Sequence, residues 1–127
     1  MCSSDLLDPE IFGQLREADR AGGNGFLAGL IQKYLQEAPT RILTLRDAVA
    51  RADCAVVVKE AHALKGSAGA LGALTMAAAC GDLEILGRGG SLTGAERLLT
   101  RVEKEFDLVC SALETEREGK GRRRKTG

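Results

Sequence analysis

Apolar residues along this chain recur every three or four positions, which is the spacing of one face of an α-helix. A short stripe follows Asp8-Pro9, a typical N-cap and first helical position, and predicts a brief first helix that ends near Ala18. Four longer stripes come after it, separated by glycine-rich or polar turns. They predict helices over residues 25–51, 54–71, 73–86 and 94–116.

Three residues set local expectations for these helices. Pro39 lies inside the long second helix, where it removes a backbone donor and disfavours helical geometry at the preceding residue, so a kink or a short break is expected. Asn24 and Asp53 precede the second and third helices, and each is a candidate N-cap.

Helices of this length joined by short links predict an all-α fold, an antiparallel up-down four-helix bundle with a short extra N-terminal helix. Neither an internal repeat nor a second domain is evident in the sequence. The predicted organisation is a flexible N-terminus at residues 1–7, the bundle at residues 8–116 and a basic disordered tail at residues 117–127. A monomer is expected, because one chain can satisfy the predicted core.

Charge and cysteine content exclude several functional classes. The last eight residues hold five of the 18 basic residues and no acidic one, so the body of the chain is acidic and nucleic acid is not an expected partner. No apolar run or secretory segment indicates a membrane partner. The cysteines are far apart and the chain has one histidine, so no metal site is expected and reducing cytoplasm is the expected location. These cysteines are Cys2, Cys54, Cys80 and Cys110.

The single histidine, His62, lies on the predicted third helix, on the side opposite its leucines. Gly66 and Gly69 follow one and two turns later, so no side chain from either position covers the imidazole. Lys65 adds a cation at its flank, and Gly72 is better suited to packing at the helix end. An uncovered imidazole beside a cation is suited to carry an anion such as a phosphoryl group.

The hexapeptide His62-Ala63-Leu64-Lys65-Gly66-Ser67 resembles the motif of the histidine phosphotransfer (HPt) domain family, His-x-Leu-Lys-Gly-Ser. A Gly-Ala pair follows that motif in the family, and here it is Gly72-Ala73. The next helix commonly carries a Cys, then Leu-Glu before a Gly-Arg turn. Here these are Cys80, Leu83-Glu84 and Gly87-Arg88, and the resemblance covers residues 8–116.

This resemblance implies a phosphorelay intermediate in two-component signal transduction, a phosphoprotein that passes a phosphoryl group between receiver-domain aspartates. The expected partners are response-regulator receiver domains and a sensor histidine kinase, which is in some cases a hybrid kinase. A family member of this kind has no ATP site and no cofactor of its own, and Mg²⁺ is supplied by the partner receiver. The chain is therefore expected to be a phosphocarrier and not an enzyme.

Site roles follow from the same resemblance. His62 is expected to be the phosphorylated nucleophile, since neutral imidazole is nucleophilic near neutral pH. Lys65 is expected to balance phosphoryl charge, and Gly66 to leave room for the receiver's aspartate. Glu84 is expected to approach the imidazole and orient it through its second nitrogen. Ser67 lies about 140° from His62 around the predicted helix, so a structural role is expected for it.

Two other functions are compatible with a helical bundle. One is an HPt-like adaptor or inhibitor that docks a receiver or a histidine kinase without carrying phosphate, and the intact set of His62, Lys65 and Gly66 argues against it. The other is a scaffold or nucleic-acid binder acting through the tail, which the acidic body disfavours. Small apolar residues beside the histidine are candidates for a docking surface, namely Ala55, Val58 and Ala73.

Overall fold

The computed structural model describes residues 7–22 and 25–126, with side chains up to residue 115. Within these ranges the chain forms five α-helices and no strand. The helices are α1 (Pro9–Gly22), α2 (Phe26–Ala50), α3 (Cys54–Ala70), α4 (Leu74–Arg88) and α5 (Ala95–Thr126).

Four of the helices close into a bundle. Each of α2, α3 and α4 packs against the next helix, α2 also packs against α5, and the short α1 packs on α2. The all-α four-helix bundle with an extra N-terminal helix is therefore confirmed. The predicted apolar faces supply its core, and the largest fully buried side chains include Ile31, Leu45, Leu64, Met76, Leu83 and Leu113.

Aspartate side chains cap the starts of α1 and α3. Asp8 Oδ2 accepts a hydrogen bond from the Ile11 amide at 3.1 Å, and Asp53 Oδ1 accepts one from Val56 at 3.2 Å, so both predicted caps are confirmed. The start of α2 differs, because Asp19 of α1 accepts from the Leu27 amide at 3.0 Å. Asn24, the predicted cap, lies outside the described residues.

Four helices differ from the sequence-based expectation, and one of them, α4, ends at Arg88 rather than near Leu86. The first helix continues past Ala18 to Gly22, and α2 passes through Pro39 without a break. Burial of Ala38 and Ile42 on either side of Pro39 stabilises the helix there more than one lost backbone hydrogen bond weakens it. The backbone of α5 continues past the predicted end near residue 116 to Thr126, since Glu, Arg and Lys are all good helix formers.

A glycine turn joins α3 to α4 and receives the start of α1. Gly72 has a φ of 84°, and its carbonyl accepts a hydrogen bond from the Asp8 amide at 2.7 Å. A Cβ atom at Gly72 would lie 3.1 Å from that same nitrogen. This position therefore requires glycine both for its backbone conformation and for the close approach of α1.

Helices α3 and α4 also approach each other closely at glycines. A Cβ atom at Gly87 would lie 2.9 Å from Val58 Cγ2, and one at Gly69 would lie 4.0 Å from Ala77 Cβ. The two helices can therefore bring side chains from their exposed edges together. In the described part of the chain, no helix is both long enough and apolar enough to cross a membrane.

Candidate functional site: the histidine on helix α3

His62 lies on the outer face of α3, and its side chain is 66% exposed. Its neighbours along the helix, Ala61 and Leu64, are fully buried and fix the rotation of α3 against the bundle. The imidazole is thus held on a rigid helix and still reaches solvent. A nucleophile that must meet a macromolecular partner needs this combination.

Glu84 of α4 contacts the imidazole from the side. Its Oε2 atom lies 3.1 Å from His62 Nδ1, although the two residues are far apart in sequence. The Glu84 side chain is only 6% exposed, which is unusual for a carboxylate without cationic partners.

Two cations accompany this carboxylate. Arg88, one turn later on α4, donates to Glu84 Oε2 from Nη2 at 2.7 Å and from Nε at 3.3 Å. Lys65 of α3 places its Nζ atom 2.9 Å from Glu84 Oε1. Hydrogen bonds from Arg88 and Lys65, with a smaller contribution from His62, lower the pKa of Glu84 to about 2 despite its desolvation.

The ionised state of Glu84 determines the protonation pattern of the imidazole. A carboxylate can only accept hydrogen bonds, so the proton of a neutral His62 lies on Nδ1 and points toward Glu84. Nε2 then carries the free lone pair on the opposite edge of the ring. The arrangement can hold one tautomer and present Nε2 as a nucleophile.

The glycines that follow the histidine have different surroundings. A Cβ atom at Gly66 would meet no atom within 4 Å, so the space beside this residue is open. Gly69 faces Ala77 of α4 and lies in the groove between the two helices. Of the two, Gly66 is the one that borders open space.

Other residues considered from the sequence lie away from this chemistry. Ser67 donates from Oγ to the Leu64 carbonyl at 3.3 Å, a local contact within α3. Cys80 is fully buried, and burial raises the pKa of its thiol to about 12. Ala73 is 1% exposed and cannot contribute to a docking surface, whereas Ala55 is exposed and Val58 is partly exposed.

A groove of about 230 Å³ runs between α2 and α3 beside the histidine face. Its α3 wall includes Ala63 and Ser67, and its α2 wall includes Lys33 and Arg41. Arg41 donates to the buried Glu60 at 2.9 Å, which fixes this part of the wall. Its lining combines buried apolar side chains with charged ones.

Two members of the cluster have no site role predicted from the sequence. Arg88 belongs to the Gly-Arg pair beyond the predicted end of the fourth helix near Leu86, whereas α4 includes it. The other is Gly81, where a Cβ atom would lie 3.3 Å from Lys65 Cδ. The spacing of Glu84 and Arg88 by one helical turn is the signal that would have indicated their contact.

Across residues 7–22 and 25–115, no three His, Cys, Asp or Glu side chains are grouped so that they could hold a metal ion. The cluster at His62 contains one imidazole and one carboxylate, and that carboxylate already has two cationic partners.

Comparison with known proteins gives concordant results. A model of the Hpt domain matches residues 29–116. The chain is 30% identical over 108 residues to multistep phosphorelay regulator 1 of Schizosaccharomyces pombe, covering 85% of this chain and 36% of that protein. It thus spans about a third of that relative's length.

The fold is similar to the crystal structure of histidine-containing phosphotransfer protein B (HptB) from Pseudomonas aeruginosa PAO1. The TM-score is 0.81 at 26% sequence identity, covering 89% of this chain and 95% of HptB. The family match covers most of the bundle and includes His62, Lys65, Gly66 and Glu84. On this evidence the chain belongs to the Hpt domain family, the histidine-containing phosphotransfer proteins.

Proposed function

We propose that this chain is a phosphorelay carrier that accepts a phosphoryl group on Nε2 of His62 and passes it to the aspartate of a receiver domain. The observation that carries the proposal is the geometry of His62, whose Nδ1 edge contacts Glu84 while its side chain remains 66% exposed. Membership in the Hpt family and the likeness to a multistep phosphorelay regulator support it.

The transfer step exchanges one bond to phosphorus for another and involves no oxidation or reduction. The Nε2 lone pair attacks phosphorus, a P–N bond forms, and the P–O bond to the donor aspartate breaks with its electron pair leaving on the carboxylate. The Nδ1 proton stays on the ring, which becomes positively charged, because Glu84, with a pKa of about 2, accepts a hydrogen bond and does not take the proton. Glu84 is thus a positioning residue for the nucleophile.

Charge balance is assigned to two residues. Lys65 and Arg88 place two positive charges beside one carboxylate, which leaves a local positive excess for an incoming phosphoryl group. Mg²⁺ held by the receiver would neutralise further charge on the phosphoryl oxygens. In this scheme the chain needs no cofactor or ATP site of its own and acts as a carrier rather than an enzyme.

Docking is assigned to the exposed face around the histidine. Gly66 borders open space, and the adjacent α2–α3 groove is lined by apolar and charged side chains. The proposed partners are receiver domains of response regulators and of a sensor kinase, which would place the chain in the cytoplasm.

The test mixes the protein with a phosphorylated receiver and Mg²⁺ and follows the phosphoryl group. We expect an acid-labile, base-stable label on the wild-type chain and none on His62→Gln. A label that persists on His62→Gln, or a wild-type chain that stays unlabelled with a broad set of receivers, would contradict the carrier function. In the second case, binding without transfer would indicate an adaptor.

Access at Gly66 is tested with a graded pair of variants. Because the space there is open, Gly66→Ala is expected to keep the fold and slow transfer only slightly, whereas Gly66→Leu should cover the imidazole and block it. Circular dichroism provides the control for folding. Equal transfer by both variants would show that Gly66 does not control access.

A further inference from the structure

Lys65 is already engaged in an ion pair before any phosphoryl group arrives. Its Nζ atom lies 2.9 Å from Glu84 Oε1. Its aliphatic stem crosses α4 at Gly81, where an added Cβ atom would come within 3.3 Å of Lys65 Cδ. The absence of a side chain at Gly81 thus leaves the path along which Lys65 reaches the carboxylate.

Both oxygens of Glu84 lie beside cations, although Oε1 is held by an ion pair alone and accepts no hydrogen bond of good geometry. Oε1 faces Lys65, while Oε2 accepts from Arg88 and from His62 Nδ1. The carboxylate is 6% exposed and its pKa is far below the usual range, so it remains a full negative charge at neutral pH. Any second anion bound at the site must therefore compete with this carboxylate for Lys65 and Arg88.

A phosphoryl group on His62 would introduce a second anion into this cluster. A phosphate ester carries about −1.5 to −2 charges near pH 7, and a phosphoryl group on nitrogen brings a comparable negative charge. Glu84 and the phosphoryl group then share two side-chain cations beside the protonated ring, and Lys65 can approach one anion only by weakening its contact with the other. A neutral side chain at position 84 would remove this competition.

Building on the proposed function, we propose that Glu84 holds Lys65 in an ion pair across Gly81, so that Lys65 only partly neutralises a phosphoryl group on His62. The carboxylate thereby limits the stability of the phosphohistidine and keeps it reactive. This role is separate from the contact of Glu84 with Nδ1, because it acts through the other carboxylate oxygen and through Lys65.

Spontaneous hydrolysis of the isolated phosphoprotein reports this effect directly. A water oxygen forms a bond to phosphorus, the P–N bond breaks, and its electron pair returns to Nε2. The ring leaves as neutral imidazole with its proton on Nδ1, and inorganic phosphate is released. Closer approach of Lys65 to the phosphoryl oxygens stabilises the phosphorylated state, so it should lengthen the phosphohistidine lifetime.

The experiment loads the full chain with phosphoramidate, a small phosphoryl donor for histidine, and follows the loss of phosphohistidine by ³¹P NMR. No receiver is involved, so the outcome is independent of whether the chain relays phosphate between proteins. The variants are Lys65→Met, Glu84→Gln and the double variant. Asp82→Asn, an exposed carboxylate on the same helix, is the matched control.

Glu84→Gln is expected to lengthen the lifetime about twofold to fivefold, the range for a partly exposed ion pair. Lys65→Met alone should change it less than twofold, because Lys65 is held by Glu84. In the Glu84→Gln background, however, Lys65→Met should remove most of the gain. Asp82→Asn should leave the lifetime unchanged.

The double variant separates this mechanism from a direct effect on the imidazole. If Glu84→Gln lengthens the lifetime equally with and without Lys65, the carboxylate acts only through Nδ1 and the proposal is wrong. A large shortening by Lys65→Met alone would also overturn it. That single variant alters a partly exposed side chain, so the test still applies if Glu84→Gln does not fold. A relay failure with the expected lifetimes would count against the proposed function alone.

Discussion

Replacing Gly87 by alanine tests how the packing of α3 against α4 controls the histidine site. The added methyl group would lie 2.9 Å from Val58 Cγ2, 3.3 Å from Val57 Cγ1 and 3.4 Å from the Cys54 carbonyl oxygen. Val57 is fully buried, and valine side chains have little rotamer freedom in a helix. The contact is therefore relieved mainly by movement of α4 away from α3.

The magnitude follows from two opposing effects. Overpacking of this kind costs about 1–3 kcal/mol in the free energy of unfolding. The higher helix propensity of alanine returns up to about 1 kcal/mol. We expect a net loss of about 1–2 kcal/mol, measured by urea denaturation.

The same displacement should reach the site, because Gly87 lies one turn beyond Glu84 on α4. Any separation of the helices lengthens the 3.1 Å contact between His62 Nδ1 and Glu84 Oε2. In ¹⁵N NMR spectra the imidazole should then shift from the Nδ1–H tautomer toward a mixture of tautomers.

Two further variants control this experiment. Gly29→Ala on α2 adds a methyl group where no atom lies within 4 Å, and it should stabilise the chain by about 0.5–1 kcal/mol. Val58→Ala should restore space for Gly87→Ala and recover part of the lost stability. If Gly87→Ala proves as stable as Gly29→Ala and leaves the imidazole spectrum unchanged, the helices are not held at a fixed separation and the reasoning is refuted.

Two other predictions concern ionisation and the core. The pKa of Glu84 falls from 4.5 to about 2 on folding, so the stability that its ionisation contributes should be complete above pH 4.5 and be lost progressively toward pH 2. The difference in unfolding free energy between wild type and Glu84→Gln should therefore shrink as the pH falls through that range. A constant difference would contradict the assigned pKa. Leu64→Ala removes a fully buried side chain and should cost about 2–5 kcal/mol in urea denaturation, whereas Leu43→Ala at a 61% exposed position should cost less than about 0.5 kcal/mol.

The sequence was sufficient for the fold because each helix carries its own local signals. Apolar residues at helical spacing marked the buried faces, and Asp8 and Asp53 marked two helix starts. These signals depend only on residues within a few positions of one another. Local signals fail at Pro39, where a kink or break was expected and the helix is uninterrupted. Burial in the assembled bundle stabilises the helix there, and a local pattern does not contain that information.

The candidate site was predictable only in part, since it is formed by two helices. The exposure of His62 follows from the periodicity of α3 alone. The contacts of Glu84 with Lys65 and His62 depend on the rotation and separation of α4, which no pattern within one helix determines. Gly81 and Gly87 matter because a side chain at either position would crowd residues of α3. Those contacts can be identified only once α3 and α4 are packed together.

The central feature of the site is that one buried carboxylate, Glu84, contacts both the imidazole of His62 and the ammonium group of Lys65. In the mechanism we propose, Oε2 fixes the imidazole tautomer, and Oε1 holds the lysine that would otherwise be free to neutralise a phosphoryl group. A carrier must accept a phosphoryl group and then release it, so strong neutralisation on His62 would favour retention over transfer. On this proposal, the carboxylate of Glu84 orients the nucleophile and, by competing for Lys65, opposes retention of the phosphoryl group, whereas a neutral glutamine could supply only the first effect.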